Sequence, residues 1–167
     1  MTTYTPAPGY KWNAVLVILR HQDQILLLQR KKEPNYGLYV PPGGKIEPHE
    51  RPRDAAAREC EEETGVRPNE LHFLGIMSET SPTEYNWTTF VYWAESEFFE
   101  PPTLDEGELG WVPLAKAGEL PGPVTAPHIY QALQEGKQLV LEVAYDAERN
   151  ALRLRNEITG EQFIGEV

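Results

Sequence analysis

No stretch limits the fold of this chain as tightly as Gly43 to Val66, where two glycines open a turn, a short loop follows, and an acidic helical segment closes on Thr64-Gly65-Val66. Pro52 suits a first helical position, where its fixed φ and missing N–H cost nothing. Gly65 suits the position just past the end, where a positive φ is often required. A helix is therefore predicted over Pro52 to Thr64. On it, Glu59, Glu62 and Glu63 stand at i, i+3 and i+4, which puts three carboxylates on one face. Like charges so placed cost about 0.2–0.5 kcal/mol per pair in an isolated helix, so the face either stays solvated or takes up a cation. Hard oxygen donors of this kind favour magnesium or manganese over softer metals.

The upstream half is what a merely acidic helix has no reason to contain. Gly44, Glu50, Arg58, Glu59, Cys60, Glu62, Glu63, Gly65 and Val66 fill every fixed position of the pattern G-x5-E-x7-R-E-U-x-E-E-x-G-U, with U apolar. This resembles the signature box of the Nudix hydrolase superfamily. Cys60 stands where the family usually has an aliphatic residue, and a buried thiol behaves as a small hydrophobe. Arg51 is a weak helix cap where related sequences often have Ser or Thr.

The resemblance implies an α/β (α+β) Nudix fold, a mixed β-sheet sandwiched between α-helices, over residues 11–157, with tails at 1–10 and 158–167. It also implies a pyrophosphohydrolase that cleaves a nucleoside diphosphate linked to a further group. Glu59, Glu62 and Glu63, with the carbonyl of Gly43, are then expected to hold Mg2+, with Mn2+ as a substitute. Related enzymes differ over which carboxylate deprotonates water; Glu59 is the first choice here and Glu62 the second. Arg58 is expected to orient Glu59 and the loop by pairing with glutamates, Glu50 among them. Gly44 and Lys45 are expected beside the substrate phosphates. Nudix domains that have become binding or regulatory modules commonly show a broken box, so the intact one favours an enzyme.

Composition agrees with this and narrows the partners. At 40% hydrophobic residues, 167 residues suffice for one core. A formal charge of −11 argues against a nucleic-acid polymer, whose binding usually shows as a basic stripe, and is compatible with a small nucleotide carried with its metal ions. Cys60 has no internal partner, and the first residues lack the basic start and apolar run of a secretory signal, so a cytoplasmic location is expected. No apolar run approaches the length needed to span a membrane.

Along the chain, Ala14 to Leu19 and Ile25 to Leu28 read as two buried central strands joined by a short turn. Gln29-Arg30-Lys31-Lys32 then places a basic cluster at a strand end, either solvated or facing substrate phosphates. Tyr36 to Lys45 approaches the box as a proline-stiffened loop. It is no Walker loop, because Gly37 lies too far from Gly44 and Ile46 follows Lys45. Leu71 to Met77 and Thr88 to Ala94 read as strands, with Ser78 to Asn86 as a polar loop over the site or a plain surface connection. Leu104 to Leu114 resembles the family's acidic patch followed by a tryptophan-bearing strand, which makes Glu106 the first choice and Glu108 the second for a further metal contact. Thr125 is expected to cap a helix with an apolar stripe at Ala126, Ile129, Tyr130 and Leu133, ending at Gly136. Leu139 to Tyr145 and Leu152 to Leu154 read as a closing hairpin around Asp146 to Asn150, and His49 and His128 as surface residues.

The layout resembles the MutT-like branch, which hydrolyses oxidised purine nucleoside triphosphates, such as 8-oxo-dGTP, to monophosphate and pyrophosphate. Val40 occupies a place where one such branch has a base-reading asparagine, and the stretch before Ala126 lacks that branch's paired aspartates. A dinucleoside polyphosphate, ADP-ribose or another capped nucleotide therefore stands beside the oxidised purine as substrate.

Overall fold

The two apolar runs are the centre of the molecule: Val15, Val17, Ile18, Leu19, Ile25 and Leu26 have no exposed surface. They belong to strands β1 (Trp12–His21) and β2 (Gln24–Arg30). The computed structural model of the chain describes residues 4–165, so the outermost residues of both expected tails lie outside the described residues. After β2 come β3 (Tyr39–Val40), β4 (Gly43–Lys45), helix α1 (Pro52–Thr64), β5 (His72–Thr80) and β6 (Trp87–Glu95). The chain continues through β7 (Thr103–Leu104), β8 (Gly107–Pro113), helices α2 (Leu114–Ala117) and α3 (Ala126–Glu135), and strands β9 (Leu139–Tyr145), β10 (Ala151–Asn156) and β11 (Gln162–Ile164).

All strands join one mixed sheet in the order β11-β10-β9-β5-β6-β1-β2-β8-β7, with β3 paired to β2 and β4 to β1. The β1–β6 and β5–β9 pairs are parallel and the others antiparallel. Each face carries its own core. On one, Ala55, Ala56 and Cys60 of α1 meet Val15, Val17, Leu19 and Leu26, the small alanines letting the helix lie close to the sheet. On the other, Ile129 and Leu133 of α3 and Leu114 of α2 meet Ile18, Ile25, Leu27 and Leu141. This is the expected sheet between helices.

The feature that places the site is a fork. β1 and β2 pair only beside their turn, at Arg20 with Ile25 and His21 with Gln24, and then separate. Their freed edges pair with β4 at Ala14 to Leu16 and with β3 at Leu28 and Gln29, so the double glycine is held at the centre of the sheet.

Several expectations change. Tyr36 to Lys45 contributes two short strands, β3 and β4, too short to show a periodicity. Ser78 to Thr80 continue β5, which leaves a shorter loop tied by Asn86, whose side chain bonds the Ser81 N–H and the Thr83 carbonyl. Thr125 precedes α3 without making a side-chain cap, because its backbone is already helical at φ −78° and ψ −23° and Pro127 fills the first turn. Leu152 is exposed while Leu154 is fully buried, since a register shift between Ala151 and Arg153 breaks the alternation expected of that strand. Beyond residue 157, expected as a tail, β11 pairs with β10 and adds an edge strand to the sheet.

Candidate active site

Helix α1 spans the predicted residues, with Pro52 in its first turn and Gly65 at φ +78° closing it. Its acidic face meets the double glycine across the mouth of a cleft of about 500 Å³. The contact is close at both glycines. A Cβ on Gly44 would run into the Glu59 carboxylate, and one on Gly43 would run into the backbone carbonyl of Val15. The Gly43 N–H donates to Glu63 Oε2 at 3.3 Å.

Arg58 organises the opposite side of the face. Its Nε and Nη2 each donate at 2.8 Å to the two oxygens of Glu50, Nη1 donates at 2.7 Å to Glu59 Oε1, and Nη2 also reaches the Lys45 carbonyl at 3.1 Å. Glu62 Oε2 lies 3.4 Å from Nη1. Glu50 in turn accepts from the Glu47 N–H at 2.9 Å, so one guanidinium fixes the loop, the strand β4 and the first carboxylate of the helix. The expected Arg58–Glu50 pairing is thus present as a bidentate fork.

The electrostatics of the carboxylates diverge. Glu50 is held below the usual carboxylate range by the Arg58 hydrogen bonds. Glu59 is raised by burial, with Arg58 opposing the shift. Glu63 is pushed up to about 8, mainly by burial, with the Gly43 N–H opposing it and the Glu59 and Glu106 charges adding to it. Glu59 and Glu63 are thus desolvated acids placed side by side, a state that a cation relieves.

Glu59, Glu63 and Glu106 line the cleft, and a smaller cavity next to it adds Glu62, Asp105 and Lys32. Glu62 is on the outer side, 58% exposed. Glu106, rather than Glu108, faces the acidic group; Glu108 pairs with Lys31 at 2.6 Å in solvent. Of the basic cluster, Arg30 enters the cleft and stands 4.0 Å from Glu106. Lys45 lines the cleft with its Nζ 3.7 Å from the centre of the Trp12 ring. His128 is half-buried, stacked on Phe163 at 3.9 Å. The far end of the cleft was not legible as a site: Glu79, Tyr85, Trp87 and Tyr130 line it. The available signal was a charged residue, Glu79, at an inward position two places after Met77.

The family model described as NUDIX domain matches residues 9–133. The chain belongs to the Nudix family. A Nudix hydrolase of Bacillus subtilis (strain 168), YvcI, which is uncharacterized, is 30% identical over 128 residues, covering 74% of this chain and 79% of that protein. Human diphosphoinositol polyphosphate phosphohydrolase 3-alpha is 34% identical over 92 residues, and the match spans 53% of its length. The crystal structure of a MutT protein from Bacillus halodurans superposes with a TM-score of 0.78 at 27% identity, covering 88% of this chain and 98% of that one. This Nudix chain is accordingly a pyrophosphohydrolase of the MutT-like kind.

Nudix hydrolases use divalent metal ions, and the donors here suit one in kind: hard carboxylate oxygens, two of them desolvated beside each other. Among the described residues no three acidic, histidine or cysteine side chains converge on a single point, because Glu59 is turned to Arg58, Glu63 to the Gly43 N–H and Glu62 to solvent. Among the described residues no helix is long and apolar enough to cross a membrane.

Proposed function

We propose that this chain hydrolyses a purine nucleoside triphosphate, oxidised purines such as 8-oxo-dGTP included, to the monophosphate and pyrophosphate. The observation that carries the proposal is the pairing of the desolvated Glu59 and Glu63 with the double-glycine bend at the mouth of one cleft. Glu59, Glu62 and Glu63, the Gly43 carbonyl and Glu106 are the groups that would hold magnesium, or manganese in its place. When bound, the ion supplies positive charge to the phosphate oxygens and eases deprotonation of the attacking water.

The chain's own residues do the rest. Arg58 occupies one oxygen of Glu59, which leaves Oε2 against Gly44 as first choice to take the proton from water, with Glu62 the second. The water oxygen bonds to one of the two phosphorus atoms flanking the α–β bridging oxygen as the bond from that phosphorus to the bridge breaks, releasing monophosphate and pyrophosphate. Arg30 and Lys45, both in the cleft, offer positive charge to the phosphate chain, and the Gly44 backbone allows it close approach. Arg58 acts as a positioning residue.

ADP-ribose and dinucleoside polyphosphates place the same diphosphate at the same acids and are the alternatives. A diphosphoinositol polyphosphate, the substrate in the name of the human relative, is a further one, but a ring bearing phosphates all round would meet few cations at the far end of this cleft. A regulatory Nudix module would bind nucleotide without turnover. The deciding experiment offers the full chain a panel of nucleoside triphosphates, ADP-ribose, diadenosine polyphosphate and diphosphoinositol polyphosphate with magnesium or manganese, and resolves products by chromatography. Monophosphate and pyrophosphate from a purine triphosphate are expected; turnover of only the other classes, or of none, overturns the proposal.

A further inference from the structure

The far end of the cleft holds a carboxylate that hydrolysis at α1 does not use. Met77 pairs with Thr89 and Glu79 with Trp87 across β5 and β6, and all four side chains line the cleft. Glu79 is only 7% exposed. Its Oε1 accepts a hydrogen bond from the Tyr145 hydroxyl at 2.8 Å, and the Tyr85 phenol stands beside the same carboxylate.

No counter-charge is bonded to it. The Lys11 ammonium is committed to the Glu79 backbone carbonyl and the Thr80 hydroxyl, and among the described residues no ion pair includes Glu79. A buried carboxylate with no cation bonded to it is costly: burial raises its pKa, against the opposing Tyr145 and Tyr85 hydrogen bonds and the more distant Lys11 and Arg149 charges. Donors arriving on a ligand would offset that cost. The surroundings suit a flat ring: Tyr85 and Trp87 meet edge to face with centroids 6.3 Å apart, and Tyr130 on the same cleft carries a buried hydroxyl with no partner.

We propose that this end is the base subsite, and that Glu79 selects a purine whose edge presents a ring N–H beside an exocyclic amine, the donor pair of a guanine-type base. The assignment rests on the hydrolase function proposed above, which places the phosphates at α1 and the base at the opposite end. An adenine edge sets a ring-nitrogen lone pair against the carboxylate, hypoxanthine lacks the amine, and an anionic ring is repelled.

The test compares kcat/KM for deoxyguanosine and deoxyinosine triphosphates with the full chain and magnesium, in wild type, Glu79→Gln and Glu79→Asp, with folding followed by circular dichroism. Wild type is expected to favour the guanine nucleotide by about tenfold, the value of one hydrogen bond to a charged acceptor. Glu79→Gln is expected to bring the ratio to within about twofold, mainly by slowing the guanine nucleotide, with Glu79→Asp falling between. The wild-type ratio is informative even if a variant does not fold: equal rates overturn the assignment. A ratio that both folded variants retain also overturns it while leaving the hydrolase proposal standing. Absence of product from both nucleotides in wild type overturns the assignment, and absence of product from every purine triphosphate of the panel removes the hydrolase proposal as well.

Discussion

Two adjacent glycines do different work. The backbone carbonyl of Val15 blocks a side chain at Gly43, and a backbone has little room to move within a paired sheet. At Gly44 the obstacle is the carboxylate end of Glu59, which rotates away at small cost. Gly43→Ala is therefore expected to lower stability by about 1–3 kcal/mol, as overpacking does. Gly44→Ala is expected to leave the melting temperature within a few degrees and to lower kcat/KM by about tenfold or more, because Glu59 is displaced. Thermal melts and initial rates on both variants check this; equal losses of stability would contradict it. The identities of Glu59, Glu63 and Arg58 were legible because one helix carries them at fixed spacing, and so was the Arg58–Glu50 fork. Glu79 did not stand out in the sequence, because Trp87 and Tyr145, which stand beside it, come from strands that only the fold brings together.

Elements with long apolar runs or strong termini, β1, β2, β6 and α1, were readable from the chain itself. Those made by pairing were not: β3, β4 and β11 exist because a neighbouring strand edge is available to them. The C-terminal hairpin extends past residue 133, where the family match ends. It is nevertheless part of the core, since β9 runs parallel to β5 and Leu141, Val143 and Leu154 are fully buried with α3. Leu154→Ala is expected to destabilise the whole chain by about 2–5 kcal/mol in urea, in a single transition that also includes the α1 side. A separate, earlier transition confined to the hairpin would contradict that expectation.

At the scale of the molecule, a central fork, one acidic helix and a long cleft combine into a single arrangement. Parting β1 from β2 opens the sheet where β4 brings the double glycine, α1 covers one face and sets its acids against that bend, and α3 roofs the other end of the cleft. The proposed phosphate end of the cleft is thereby separate from the proposed base end. The box marks the residues of the first in the sequence, whereas those of the second come from β5, β6, α3 and β9, with Glu79 two places after Met77 as the one local signal. The most direct test of the central claim is metal-dependent hydrolysis by Glu62→Gln and Glu63→Gln beside their thermal melts. Both substitutions keep size and remove charge, so kcat/KM is expected to fall by about a hundredfold or more. The melting temperature should hold or rise in metal-free buffer, because Glu63 no longer buries an ionisable group. Turnover at the wild-type rate in both folded variants would contradict the assignment of the acidic face to hydrolysis.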